Sequence, residues 1–306
     1  MTKKADRMRA TFNQMVFSDQ IIRMLVAPDA LGAKIAEHSG ADAVFAAGYA
    51  TSAANLAMPD RGIADFGEML EKCRQIVNAT SVPVFADADT GYGDLANVRR
   101  TVASYEQIGA AGLFLEDQTW PKRCGHMDNK SVEPTEVLEA KIRTAKAARK
   151  HDNFLIMSRT DARAVYGLDE AIARSKRYQA AGADMVFIEA PRDIGELQAI
   201  HDAFPDTPLM ANMIEGGKTP LTDTDKLRNL GFRIVVYPTA MTYATAYADE
   251  QLVQTLMTEG STKSFEDRMI TFDRFNHFVG LDEVNNRESQ YAADRMSAEL
   301  ASLYSK

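Results

Sequence analysis

Asp87 and Asp89, in VPVFADADTGYG, follow an apolar run at 82–86 that reads as a buried strand. Two carboxylates at i and i+2 on extended backbone point to one side, because successive side chains alternate between faces. Packed that closely, they repel unless something positive lies between them. A hard divalent cation, magnesium or manganese, takes such an oxygen site and keeps waters and open positions for a substrate. An Asx turn with two solvated aspartates would use the same residues, and both readings stand at this point.

A second group of reactive side chains lies in the long polar stretch EDQTWPKRCGHMDNKSVEP, residues 116–134. Loops longer than about 12–15 residues are often lids or binding loops. Cys124 follows Lys122 and Arg123 and precedes Gly125 and His126. Flanking positive charge lowers a thiol pKa, and the glycine lets the loop move, so Cys124 could serve as acid, base or nucleophile. An incidental loop cysteine is the plain alternative. No second histidine stands at ligand spacing from His126, which argues against zinc. Cys73, in the amphipathic FGEMLEKCRQIV, reads as a small buried hydrophobe.

These residues need a frame. Short apolar runs near 21–26, 42–47, 82–86, 112–116, 154–159, 184–189, 208–212 and 233–237 read as eight strands, separated by helical patterns. Continuously apolar strands imply a parallel sheet covered on its outer face, and eight such units predict an α/β, TIM-type (β/α)₈ barrel. An open doubly wound sheet competes, but its usual Gly-rich first turn is absent: the turn here is Ala27-Pro28-Asp29-Ala30. Five consecutive strands end in polar groups: Asp87 and Asp89, Glu116 and Asp117, Arg159 and Asp161, Glu189, and Asn212. Any one could be a helix N-cap. Together, at the C-terminal ends of barrel strands, they predict an acidic site with one arginine, which a cation would reconcile.

The 306 residues, 45% hydrophobic and 25% charged, fit an ordinary globular protein. A net charge of −8 without a basic cluster argues against nucleic-acid binding. No apolar run nears the roughly 20 residues of a membrane span, and MTKKADRMRATFNQM lacks a signal-peptide core. Two cysteines form no disulfide framework, so a reducing cytoplasm is expected. The barrel is expected over 1–260 and a helical arm of the same domain over 261–306. Phe265, Met269, Phe272, Phe275, Phe278 and Val279 give that arm a wide apolar face, to be buried on its own barrel or on a neighbouring subunit.

The motifs DADTGYG, LEDQ, KRCGHM, SRTDA and EAP, in this order and spacing, resemble the isocitrate lyase and phosphoenolpyruvate mutase superfamily over about residues 25–278. KRCGH after LEDQ marks its carbon–carbon lyase branch, and WPKRCGHM with ANMIEGGKTPL is most similar to the 2-alkylmalate lyases. The resemblance implies a magnesium site at Asp87 and Asp89, with Asp60 and Glu116 holding the metal through water. It implies that Cys124 protonates the departing carbanion. Arg159, Glu189, Asn212 and the lid's Gly125 and His126 would contact substrate, while Ala47, Gly48 and Tyr49 would hold its carboxylate. It further implies a homotetramer, a dimer of dimers with the C-terminal helix exchanged between paired subunits.

Departures narrow the substrate. Methylisocitrate lyases carry serine and glycine where this chain has Ala47 and Tyr49, and arginines where it has Tyr243 and Phe272. A third carboxylate needs a compensating guanidinium. The expected reaction is therefore cleavage of a dicarboxylate such as 2,3-dimethylmalate to pyruvate and propionate. Methylisocitrate cleavage, oxaloacetate hydrolysis or decarboxylation, carboxyvinyl-carboxyphosphonate chemistry and a non-catalytic binding role are the alternatives.

Overall fold

Strands that are apolar on both faces must be covered on both, and a ring wrapped in helices does this. In the computed structural model, which describes residues 3–304, β1 (Ile22–Val26), β2 (Ala43–Ala46), β3 (Val84–Asp87), β4 (Gly112–Glu116), β5 (Leu155–Thr160), β6 (Met185–Ile188), β7 (Met210–Asn212) and β8 (Ile234–Tyr237) are all parallel. Their order is β6-β5-β4-β3-β2-β1-β8-β7. A parallel bridge between Val186 and Leu209, with the Val186 N–H donating to the Pro208 carbonyl at 3.1 Å, joins β6 to β7. The expected (β/α)₈ barrel is the fold found. β7 is shorter than the predicted 208–212, and Pro208 at its start has no N–H to pair.

Alternation divides the strand side chains. Phe45, Phe85, Phe114, Met157 and Phe187 fill the ring, with the Phe45 and Phe85 centroids 5.9 Å apart. Val44, Val84, Leu113 and Ile156 point outward under the helices. Those helices are α1 (Lys3–Val16), α2 (Ala30–His38), α3 (Gly48–Thr51), α4 (Phe66–Ala79), α5 (Leu95–Ile108), α6 (Thr135–Ala148), α7 (Ala162–Tyr166), α8 (Leu168–Ala180), α9 (Ile194–Ala203), α10 (Thr224–Asn229) and α11 (Ala240–Glu259), with a π-helical turn at Ser52–Leu56. Helix α1 was not anticipated. Its Ala5, Met8, Phe12 and Val16 are buried, and Phe12 stacks on Phe85 at 5.5 Å, packing with the residues that begin β1 and β5.

The chain divides into two compact units, one ending at Thr245 and one starting at Ala246, earlier than the boundary expected after residue 260. In the second unit the expected helical arm is present as several helical segments. A 3₁₀ segment (Lys263–Arg268) precedes α12 (Phe272–Val279) and α13 (Leu281–Tyr304). The Thr271 side chain accepts from the Arg274 N–H and starts α12, and Gly280, at φ +99°, ends it. No helix among the described residues is long and apolar enough to cross a membrane.

Candidate active site

The C-terminal ends of the strands surround one pocket in the first unit. Ala47 after β2, Asp87 of β3, Phe114 of β4, Arg159 of β5, Glu189 after β6 and Asn212 of β7 line it, joined by Tyr49, Asp60, Cys124 and Gly125. Gly48, Asp89, Glu116 and His126 stand one contact behind this lining. Tyr243 reaches the pocket through Tyr49, their hydroxyls 3.1 Å apart.

On the β2–β3 side the two aspartates are not arranged as an extended pair. β3 ends at Asp87, and Asp89 turns to φ +46°. The Asp89 N–H donates to Asp87 Oδ1 and the Gly48 N–H to Asp87 Oδ2, both at 2.9 Å, so two main-chain amides orient the Asp87 carboxylate. A Cβ on Gly48 would sit 3.1 Å from both Asp87 Oδ2 and Lys122 Nζ, so a side chain there would crowd both groups. The positive group among these acids is Lys122 of the lid, its Nζ 2.6 Å from Asp60 Oδ1 and 2.7 Å from Asp89 Oδ1. Burial pushes the Asp89 carboxyl up to about 7 against the pull of Lys122, and Asp87 and Asp60 add to the rise. Burial disfavours the Lys122 ammonium, yet Asp60 and Asp89 hold its pKa well above the ordinary value.

Opposite, Arg159 is held by three carboxylates: Glu116 Oε2 at 3.1 Å, Asp161 Oδ2 at 3.0 Å and Glu189 Oε2 at 3.4 Å. Burial works against its charge, but Asp161, Glu116 and Glu189 outweigh that and keep it a guanidinium. Burial drives the Glu116 carboxyl well above its usual range despite Arg159. Glu189 is pushed up by burial too, but Arg159 and the His126 hydrogen bond hold it below the normal carboxylate range. Lys130, from the lid, reaches Asp161 Oδ1 at 2.6 Å and bonds the Gly125 carbonyl.

The lid carries Cys124, partly exposed, whose N–H donates to the Asp60 carbonyl at 3.1 Å. Burial, then Asp60, pushes its thiol up to about 11, opposite to the expectation drawn from the neighbouring lysine and arginine. The reason is geometric: Lys122 is engaged by Asp60 and Asp89, and Arg123 turns to the Asp128 carbonyl at 3.3 Å. Tyr49 is raised as well, by burial and then by its hydrogen bond to Tyr243.

The acid cluster fits a hydrated hard cation. Both Glu116 oxygens are buried and accept no hydrogen bond, although Oε2 lies in an ion pair with Arg159. No group of three or more His, Cys, Asp or Glu side chains is placed to hold a metal among the described residues. Magnesium asks for less, since it takes one or two carboxylates and keeps its waters. Sequence reasoning missed the roles of Lys122 and Lys130. The charge of Lys122 was visible beside Cys124, but not the fact that the lid folds it onto acids at positions 60 and 89.

A barrel whose C-terminal rim and lid converge acids, an arginine and a thiol on one pocket defines a (β/α)₈ enzyme. The chain belongs to the phosphoenolpyruvate phosphomutase family, which matches residues 12–257. It is 43% identical over 276 residues to 2,3-dimethylmalate lyase of Eubacterium barkeri, covering 89% of this chain and 95% of that one. A crystal structure of 2,3-dimethylmalate lyase, a PEP mutase/isocitrate lyase superfamily member, superposes with a TM-score of 0.88 at 31% identity, covering 95% and 96% of the two chains. Phosphonopyruvate hydrolase in complex with oxalate and Mg++ superposes with a TM-score of 0.84 at 27% identity, covering 93% and 99%.

Proposed function

We propose that this chain is a magnesium-dependent carbon–carbon lyase that cleaves a 2-hydroxy dicarboxylate of the 2-alkylmalate class to an α-keto acid and a carboxylic acid. For 2,3-dimethylmalate the products are pyruvate and propionate. The observation that carries this reading is a thiol kept protonated beside a pocket of acids and one charged arginine. Asp87 and Asp89 would hold magnesium, with Asp60 and Glu116 acting through water; bound there, the metal supplies Lewis acidity to the 2-hydroxyl and its carboxylate.

In the cleavage the hydroxyl proton leaves, the C2–C3 bond breaks, and its electron pair moves onto C3 in conjugation with the carboxylate it bears. Arg159 faces that developing charge. Cys124 gives its thiol proton to C3, and the proton released from the hydroxyl restores the thiol, so the site ends as it began. Tyr49, with its phenol raised above the usual range, is a poor first acceptor of that proton, which leaves the rim carboxylates. The Ala47–Tyr49 backbone and Asn212 border the substrate, and the lid keeps water out.

An alkyl-substituted substrate suits the wall of Phe45, Phe114, Phe187, Met210 and Ile214. Arg159 is the lone arginine or lysine lining this pocket among the described residues and already serves three carboxylates, so a third substrate carboxylate finds no free partner. Incubation of 2,3-dimethylmalate, methylisocitrate, oxaloacetate and phosphonopyruvate with magnesium titrated, and identification of all products (pyruvate, propionate, succinate, oxalate, acetate, phosphoenolpyruvate and phosphate), tests this. Magnesium-dependent cleavage of dialkylmalates in preference to the others is the expected result; preference for phosphonopyruvate or methylisocitrate would replace the reading. The matching assembly is a homotetramer, a dimer of dimers with exchanged arms. It is supported by Phe272, Met257 and Tyr291, which are 83%, 74% and 70% exposed in the single chain. Light scattering that returned a monomer would remove it.

A further inference from the structure

One imidazole links the lid to a second loop. The Lys218 N–H donates to His126 Nδ1 at 2.8 Å, which leaves the ring proton on Nε2. Nε2–H then donates to Glu189 Oε1 at 3.1 Å. His126 stands two residues beyond Cys124 in one lid turn, which the Met127 N–H closes onto the Cys124 carbonyl at 2.9 Å. Glu189 is itself fixed by Asn212 Nδ2 at 3.3 Å and by Arg159. A continuous set of contacts thus runs from the loop after β7, through His126, to the rim, and His126 shares its lid turn with Cys124.

The loop is shaped for this contact. Gly216 adopts φ +70°, and the Gly217 N–H closes a turn onto the Ile214 carbonyl at 3.0 Å. A Cβ on Gly217 would lie 2.5 Å from His126 Nδ1 and 2.9 Å from its Cε1, closer than real side chains approach, so the ring rests directly on bare backbone. The Lys218 ammonium pairs with Asp128, but that carboxylate is 82% exposed and such a pair contributes little.

We propose that residues 214–218 form a clasp for the lid, in which the main-chain N–H of Lys218 sets the His126 ring and so holds closed the turn that carries Cys124. Gly217 and Lys218 are positioning residues of this site. The effect on turnover rests on the lyase reading; the effect on thiol reactivity does not.

Labelling of the full-length protein by a disulfide reagent reads Cys124, because the other cysteine, Cys73, is 1% exposed. Cys124→Ser supplies the blank. Lys218→Pro removes the N–H, Gly217→Ala pushes the ring away, and Lys218→Ala keeps the N–H while losing the ammonium. The first two release the lid turn and so expose the thiol, and should label roughly three- to tenfold faster than the unaltered protein, the range expected when one hydrogen bond holding the lid is lost. Lys218→Ala should label at the original rate. Unchanged labelling in folded Lys218→Pro and Gly217→Ala overturns the clasp, and either variant decides alone if the other fails to fold. Labelling of Lys218→Ala as fast as Lys218→Pro overturns it too, by moving the effect to the side chain. Where the protein proves to be a lyase, kcat should fall in the two disruptive variants with KM little changed. Absence of lyase activity would defeat the functional reading and leave the labelling result standing.

Discussion

The two sides of the rim solve the problem of crowded acids differently. Beside β5 and β6, Glu116, Asp161 and Glu189 meet Arg159 and Lys130, and the remaining excess is relieved by Glu116, whose carboxyl is driven toward the neutral form. Beside β2 and β3, Asp60, Asp87 and Asp89 meet Lys122 alone. The first side has a strand arginine as well as a lid lysine. The second has a lid lysine alone. Burial, with Asp87 and Asp60 adding to it, raises the Asp89 carboxyl to about 7 against the pull of Lys122.

The largest break in this contrast should come from Arg159→Ala. It leaves buried acids without their partner, and urea titration should show a loss of about 3–5 kcal/mol, together with loss of turnover. Loss of turnover at unchanged stability would mean that those acids are balanced without it. Next, Cys124→Ser should lower kcat by about 10²–10⁴-fold, as for a removed general acid, while calorimetry still registers magnesium. Lys122→Met should sharpen the picture from the other side: the metal-free protein should melt lower, and magnesium should raise its Tm more than in the unaltered chain. Equal metal shifts would show that Lys122 does not offset the acids.

The pH dependence of the thiol follows from burial. Because its pKa is raised to about 11, Cys124 stays protonated through neutrality, and alkylation by iodoacetamide should climb only as pH approaches that value. A midpoint near 9 would place the thiol in open solvent. Tyr243→Phe, which removes one hydroxyl partner of Tyr49, should change kcat/KM by less than about tenfold.

What was legible in the sequence was what local pattern determines. Val84 to Ala86, Leu113 to Leu115 and Ile234 to Val236 announce buried strands, and the acids that follow the strands announce the rim. The first helix was legible too, in the spacing of Ala5, Met8, Phe12 and Val16, but lysines and arginines between them masked it. The environment of Cys124 was not legible. Its neighbours in sequence carry positive charge, yet both turn away, and the loop that meets His126 lies 92 residues further on. Charges adjacent in a loop say little about a pKa until the loop's own partners are known.

Seven full ladders and a single stitch hold the ring, and the stitch at Val186 and Leu209 lies between the strands that present Glu189 and Asn212. A hoop fastened this unevenly parts first at its weakest joint. Deuterium should therefore enter the backbone around Met210 before it enters β3 or β4, and the wall beside the arginine becomes the natural place for the vessel to widen when something must leave it.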